Sequence, residues 1–254
     1  MTTALEHAAR ELADRRRTGR RGPRLPADAI PADVPAALAL QRRVAAHVGD
    51  AIGGWKCSLP AGGRTLVAPL FAATIVRTSP CVVRVRGDCG SIEAEIAFVL
   101  ARDLPPRAAP YGEDDVRAAI GATHLALELM DNRYDDPSTA TFPEMLADFA
   151  NNQGLFVGPA ITGVPARALE RFPLTLRAGD RTLSRHDGAH PDGHPLRPLV
   201  WLANFLPTQG DHLRAGQIVT TGAYAGVHDV PLDTPLSVIF GELGAVDVEL
   251  VAAR

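Results

Sequence analysis

Two glutamates, Glu93 and Glu95, lie within residues 91–100, where apolar side chains alternate with the period of a β-strand. Side chains two positions apart on a strand share a face and lie about 7 Å apart, at about 3.3 Å per residue. Two carboxylates at that spacing repel each other, and a divalent cation would relieve the repulsion. A solvated edge strand would show the same Glu-x-Glu pattern, but the apolar continuation from Ile96 to Leu100 indicates a strand that enters a core.

A third carboxylate, Glu128, lies in a second strand-like segment at residues 123–131. Strand parity puts Glu128 on one face with Ala126 and Met130, and puts three leucines on the other face. A carboxylate that is buried without a partner is costly, so Glu128 requires a cation or several donors. We therefore predict that Glu128 completes a three-carboxylate site with the first two glutamates. Oxygen-only ligands favour Mg²⁺ or Mn²⁺ over Zn²⁺ at such a site.

The elements that must position these carboxylates follow an N-terminal helical region. Residues 3–17 and 34–48 have apolar positions near helical spacing, with a Pro-rich stretch between them. A break in the pattern is expected at Gly53 and Gly54, and short strands with Gly/Pro turns dominate from there onward. The sequence therefore predicts an α+β fold, with an N-terminal helical cap at residues 1–52 and a catalytic β-rich domain at residues 53–254.

The composition of the 254 residues is typical of a soluble globular protein, with 46% hydrophobic and 22% charged residues. A formal net charge of -3 argues against a nucleic-acid partner, and no apolar run reaches the ~20 residues that a membrane span needs. Three cysteines have neither metal-binding nor redox spacing, which favours a reducing cytoplasm. Among them, Cys57 is more typical of a small buried filler than of a nucleophile.

Three histidines, His186, His190 and His194, follow one another at four-residue intervals. The segment is also rich in Gly and Pro, so no helix would put the three imidazoles on one face. A Zn²⁺ site, an ordinary polar loop and a mobile lid over a pocket are the three interpretations that the residues allow.

Five motifs occur in order along the chain. They are Glu-Ala-Glu-Ile-Ala-Phe-Val-Leu from Glu93, Ala-Leu-Glu-Leu-Met-Asp-Asn-Arg from Ala126, Gly-His-Pro-Leu from Gly193, Val-Trp-Leu-Ala from Val200, and the turn and strand at residues 216–222. In these motifs the sequence resembles the hydratase/decarboxylase branch of the fumarylacetoacetate hydrolase superfamily. The resemblance covers most of the chain from residue 54 onward. It implies a mixed β-roll of the type found in the C-terminal domain of that superfamily, with a Mg²⁺ or Mn²⁺ cofactor.

The resemblance also implies roles for individual residues. The implied metal ligands are Glu93, Glu95 and Glu128, the same three carboxylates that strand parity selects. Lys56, within the stretch Gly-Trp-Lys, is implied to carry a proton or to hold a substrate carboxylate, with a pKa lowered by partial burial near a metal. Substrate-binding roles fall on four further residues, namely Asp148, Asn152, His194 and Thr221.

The function implied by the resemblance is that of a metal-dependent lyase of a small 2-oxo acid, acting by hydration through a metal-stabilised enolate. Decarboxylation of a 2-oxo-enedioate, C-C hydrolysis of an acylpyruvate and a non-catalytic scaffold are the alternatives, in that order. The sequence departs from the hydratase pattern because residues 62–71 contain no acidic residue to exchange protons with Lys56. The resemblance further implies a homo-oligomer, alone or with a sister hydratase or decarboxylase, and a role in aromatic catabolism.

Overall fold

Five helices and thirteen strands organise the part of the chain that the computed structural model describes, residues 2–253. The helices are α1 (Thr2–Thr18), α2 (Val34–Val48), α3 (Glu113–Ala119), α4 (Phe142–Ala147) and α5 (Leu196–Thr208). The strands are β1 (Ile52–Cys57), β2 (Val67–Phe71), β3 (Ile75–Val76), β4 (Cys81–Val83), β5 (Cys89–Leu100), β6 (Ile120–Met130), β7 (Asn152–Ala160), β8 (Arg171–Ala178), β9 (Arg181–Ala189), β10 (Ile218–Thr220), β11 (Val227–Pro231), β12 (Pro235–Phe240) and β13 (Ala245–Ala252).

The strands form two mixed sheets. The larger has eight strands in the order β2-β1-β10-β5-β6-β7-β3, and β11 pairs with the first half of β5. The smaller has five strands in the order β4-β13-β12-β8-β9. Most neighbours are antiparallel, whereas β1 and β10, β3 and β7, and β4 and β13 run parallel. The long strands β5 and β6 therefore lie in the middle of the larger sheet, with neighbours on both sides.

The larger sheet curls so strongly that strands far apart in its order meet across one face. From β2 to β7 there are five interstrand steps, which would span about 24 Å in a flat sheet at about 4.8 Å per step. Side chains from both of these strands nevertheless belong to one buried hydrophobic cluster, which we call the inner cluster. Its members are Leu70, Ala97, Ala126, Leu155, Val157 and Ile218. The sheet is therefore a roll with a packed interior.

The outer face of the roll packs on a second and larger core, which also takes in helices α1, α2 and α5. Helix α2 begins where the Asp33 carboxylate accepts a hydrogen bond from the Ala36 N–H at 2.8 Å. It ends at Gly49, whose φ of +73° is the left-handed conformation that glycine adopts without a steric cost. Both N-terminal helices share this core with the strands.

The α+β class and the mixed β-roll predicted from the sequence are confirmed. Both N-terminal helices are confirmed nearly to their ends, but the break predicted at Gly53 and Gly54 is wrong, because both glycines lie inside β1. Gly54 is needed there because a Cβ atom would lie 2.0 Å from the Ile218 carbonyl oxygen on β10. The division into domains at residue 52 stays a prediction.

No helix among residues 2–253 has both the length and the apolar character that a bilayer span requires.

Replacing Leu12 by Ala tests whether the N-terminal helices fold together with the roll. Leu12 is fully buried in the larger core on the outer face of the roll, so the substitution is expected to lower the free energy of unfolding by about 3 kcal/mol. Urea unfolding followed by circular dichroism and by tryptophan fluorescence should give one coincident transition. Arg10→Ala, an exposed position on the same helix, is the control and should change stability by less than about 0.5 kcal/mol. Two separate transitions would contradict a shared core.

Candidate metal and substrate site

Three carboxylates converge on the inner face of the roll. Glu93 on β5 is the direct register partner of Glu128 on β6, and Glu95 follows two residues after Glu93 on the same face. One oxygen from each carboxylate lies within 4.8 Å of the others. Glu95 and Glu128 are buried, and Glu93 is half-buried. The geometry that strand parity predicts is therefore present, although the metal-ligand role stays a prediction.

Lys56 lies beside these carboxylates and is itself buried. Its Nζ atom donates to Glu128 Oε1 at 2.5 Å and to the Ala150 carbonyl oxygen at 3.2 Å. Burial by itself lowers the pKa of Lys56, but the negative charges of Glu128, Glu93 and Glu95 outweigh burial and raise the pKa above its ordinary value. These charges favour the ammonium form of Lys56, and the lowered pKa predicted for this lysine beside a bound metal stays a prediction.

The same crowding raises the pKa of the two glutamates of β5, which favours their neutral form. Burial, together with the charge of Glu128, raises the pKa of Glu93 to about 7, although Lys56 opposes the shift. Burial and both neighbouring carboxylates raise the pKa of Glu95 well above its ordinary value. Three carboxylates and one ammonium in one small volume thus leave an excess of negative charge, which protonation or a cation must offset.

A strained turn after α4 supplies the second hydrogen-bond acceptor of Lys56 Nζ. Phe149, Ala150 and Asn151 have φ values of 57°, 49° and 62°, the left-handed region that costs residues other than glycine about 1 kcal/mol or more each. This turn directs the Ala150 carbonyl toward Lys56. The next residue, Asn152, is buried and donates from Nδ2 to Glu128 Oε1 at 2.9 Å.

The Asp148 carboxylate pairs with Arg133. It accepts from Arg133 Nε at 2.7 Å and from the Arg133 backbone N–H at 3.1 Å, and both side chains are buried. The pair fixes the start of the strained turn, because Arg133 Nη2 also donates to the Asp148 carbonyl oxygen. The substrate-binding roles of Asp148 and Asn152 stay predictions, and of the two only Asn152 contacts the carboxylate cluster directly.

The residues at the end of β10 and just after it separate into two groups by the direction of their side chains. Thr220 is the register partner of Lys56, so its side chain points into the roll. The Thr221 hydroxyl lies 3.3 Å from His190 Nε2, and the Gly222 N–H donates to Glu95 Oε2 at 3.0 Å. The sequence analysis selected Thr221 and not Thr220, and it considered His190 only as part of the histidine segment. Strand parity puts the two threonines on opposite faces, but only the register with β1 shows that Thr220 faces Lys56. The role of Thr221 stays a prediction.

His194 has no ring nitrogen left for a ligand. Its Nδ1 accepts from the Leu196 N–H at 3.1 Å, so its Nε2 is the protonated nitrogen, which donates to the Ala166 carbonyl oxygen at 3.1 Å. Its predicted substrate contact stays a prediction that this hydrogen bonding does not support.

The histidine segment is neither a single loop nor a metal site. His186 lies on β9, so the loop begins only at His190. Among residues 2–253, the three glutamates are the one group of three metal-ligating side chains within reach of a common ion, and the Zn²⁺ interpretation is therefore wrong. Burial raises the pKa of the Cys57 thiol well above its ordinary value, which supports its interpretation as a filler.

The donor set fits a hard divalent cation. Glu128 Oε2 is buried and has no hydrogen-bond partner within the described residues, whereas Oε1 of the same carboxylate receives two hydrogen bonds. Such an oxygen is an unsatisfied anionic acceptor, for which a cation is the natural partner. All three side chains offer oxygen, the donor that Mg²⁺, Mn²⁺ and Ca²⁺ prefer.

Comparison with known proteins identifies relatives of this chain. The fumarylacetoacetate hydrolase C-terminal family model matches residues 63–252. A 2-keto-4-pentenoate hydratase from Dechloromonas aromatica is 34% identical over 158 residues, 61% of this chain. A 4-oxalocrotonate decarboxylase from Pseudomonas putida is 28% identical over 160 residues, 63% of this chain. The aligned parts cover 57% and 60% of these two relatives.

The fold also has solved counterparts. A 4-oxalocrotonate decarboxylase from Pseudomonas putida G7, solved with magnesium and adipate, superimposes with a TM-score of 0.80. The alignment covers 99% of this chain and 98% of that one at 21% sequence identity, so the likeness concerns the fold. The same protein solved with calcium and acetate gives a TM-score of 0.79.

The raised pKa of Glu93 predicts a pH-dependent stability in EDTA. A glutamate whose folded-state pKa is near 7 stabilises the folded state fully at pH values below its unfolded pKa of 4.5. This stabilisation is lost as the pH rises through 7. The free energy of unfolding should therefore fall between pH 5 and pH 8, and Glu93→Gln should reduce this fall by on the order of 1 to 3 kcal/mol. Urea denaturation at both pH values measures the difference. An equal fall in the two proteins would contradict the crowded carboxylate cluster.

Proposed function

Because this chain belongs to the fumarylacetoacetate hydrolase family, we propose that it is a divalent-metal-dependent lyase of a small 2-oxo acid, with hydration as its reaction. One observation carries the proposal, namely the convergence of Glu93, Glu95 and Glu128 beside the ammonium of Lys56. The similarity to proteins named 2-keto-4-pentenoate hydratase supports hydration over the alternatives.

In the proposed site, Glu93, Glu95 and Glu128 hold the cation, which we propose to be Mg²⁺ or Mn²⁺. When bound, the cation would polarise the keto group of a 2-oxo acid and stabilise negative charge on its oxygen. The excess negative charge of three carboxylates over one lysine matches a divalent ion better than a monovalent one.

Lys56 has the properties of a charged donor in this site. Its raised pKa keeps a proton on Nζ at neutral pH, so the ammonium can hold an anionic oxygen or deliver a proton to a substrate carbon. Two acceptors, Glu128 Oε1 and the Ala150 carbonyl oxygen, fix the position of Nζ. Asn152 helps to fix the same carboxylate, because its Nδ2 also donates to Glu128 Oε1 at 2.9 Å. These contacts hold Lys56 Nζ and the Glu128 carboxylate in place before substrate binds.

Decarboxylation of a 2-oxo-enedioate is the second candidate, because relatives named 4-oxalocrotonate decarboxylase are 28% and 29% identical to this chain over 160 and 132 residues. Both reactions would begin from a 2-oxo acid with a polarised keto group. Hydration forms a bond to water, whereas decarboxylation breaks the bond to the carbon that leaves as CO₂. A non-catalytic scaffold is disfavoured, since burying three carboxylates around Lys56 has a free-energy cost that an inactive protein would have no need to retain. A cytoplasmic location and assembly into homo-oligomers, alone or with a sister enzyme, complete the proposal.

Glu95→Gln is expected to abolish both metal affinity and turnover, because it removes a buried anionic oxygen from the centre of the site. The purified protein is incubated with Mg²⁺ and a panel of 2-hydroxydienoates, 2-oxo-enedioates and acylpyruvates, while ultraviolet absorbance and CO₂ release are followed. Loss of the dienoate absorbance without CO₂ identifies hydration. Calorimetric titration with Mg²⁺ measures the metal affinity of each variant.

Glu242→Gln is the matched control, since Glu242 is an exposed carboxylate outside the cluster. It should keep both the metal affinity and the turnover of the unmodified protein. Full turnover by Glu95→Gln, or an unmodified protein that binds no divalent cation, would refute the proposed function.

A further inference from the structure

Thr220 carries a buried hydroxyl that none of the roles above uses. The residue is fully buried on β10, and its Oγ1 atom has no hydrogen-bond partner in the described part of the chain. Buried hydroxyl groups are almost always hydrogen-bonded, because leaving one unsatisfied forfeits its interaction with water. An unpartnered buried hydroxyl therefore points to a group that binds there.

The register of the sheet places this hydroxyl beside Lys56. Thr220 is aligned with Lys56 on β1 and with Ala97 on β5, and aligned residues on neighbouring strands point to the same side at about 4.8 Å. Ala97 and Ile218, which share this side of the sheet, belong to the inner cluster. Neither aligned neighbour has a side-chain acceptor, since alanine has only a methyl group and lysine only donors. The Thr220 hydroxyl is thus a donor directed into the roll.

Lys56 has a matching free donor. An ammonium group carries three hydrogens, and two are accounted for by Glu128 Oε1 and the Ala150 carbonyl oxygen. Among the described residues Nζ makes no third hydrogen bond, to Glu93, to Glu95 or to any other group. Two adjacent side chains, Lys56 and Thr220, therefore offer one unused donor each on the same face as the carboxylate cluster.

We propose that Thr220 Oγ1 and the third Nζ hydrogen of Lys56 together bind one oxygen atom during the reaction. This inference rests on the proposed function and adds Thr220 to the site. The oxygen belongs either to the carboxylate or keto group of the 2-oxo acid or to the water that adds to it. Both sources present the same acceptor to the two donors.

Thr220→Val separates this role from a structural one, because valine has nearly the shape of threonine without the hydroxyl. A hydroxyl with no partner in the protein contributes nothing to folding, so the variant should be as stable as the unmodified protein or more stable. Turnover of the 2-oxo acid, measured as kcat/KM, should fall by about tenfold to a hundredfold. Thr220→Ser, which restores the hydroxyl, should recover most of that loss. Thr175→Val, at a half-buried position on β8 in the smaller sheet, is the control and should keep full activity.

Binding of oxalate in the presence of Mg²⁺, measured by calorimetry, identifies the source of the oxygen. If the oxygen is the substrate's, Thr220→Val weakens oxalate binding along with kcat/KM. If it is the reacting water, oxalate affinity is unchanged and kcat falls. Unchanged turnover and oxalate affinity, or loss of activity that serine does not restore, would overturn the inference while the proposed function stands. An unmodified protein that binds neither Mg²⁺ nor oxalate would instead refute the proposed function, and this inference with it.

Discussion

Burial of three carboxylates around a single ammonium is the constraint on which the rest of this structure depends. Glu93, Glu95 and Glu128 bring more negative charge to the inner face of the roll than Lys56 can neutralise, and burial together with this crowding raises the pKa values of Glu93 and Glu95. In a less rigid protein the carboxylates would move apart. Here the paired backbones of β5 and β6 set Glu93 and Glu128 opposite each other, and Lys56 and Asn152 hold the Glu128 carboxylate by hydrogen bonds. The Gly222 N–H holds the third carboxylate, Glu95.

The curl of the larger sheet makes this arrangement possible. Lys56 comes from β1, two strands away from β5, and reaches the carboxylates only because the sheet closes around its inner face. The inner cluster packs that face and holds the curl, since its members come from both ends of the strand order. Gly54 allows β1 to approach β10 closely enough for Lys56 and Thr220 to lie side by side. Apolar packing and a glycine contact therefore determine where the charges meet.

Strand periodicity is sufficient to predict the three carboxylates, because the side-chain period of two depends only on local sequence. Glu128 stands out as a charge within an apolar strand for the same reason. The pairing of Lys56 with Glu128, the left-handed turn at residues 149–151 and the choice between Thr220 and Thr221 were beyond sequence reasoning. Each depends on register between strands distant in the chain, or on backbone strain that only the surrounding fold enforces. The direction of the Lys56 pKa shift depends on the number of nearby carboxylates as well as on burial, and the local sequence around Lys56 does not give that number.

The roll thus supplies a rigid, partly dry site in which negative charge is concentrated and a charged donor is held close to it. The proposed chemistry needs both features, since a 2-oxo acid offers oxygens to a cation and accepts a proton or hydrogen bond elsewhere. The most direct test is anomalous diffraction at the manganese edge from crystals grown with Mn²⁺. We predict one strong peak bounded by carboxylate oxygens of Glu93, Glu95 and Glu128, with the Lys56 ammonium beside it. A peak elsewhere, with these three side chains turned away from one another, would contradict the account.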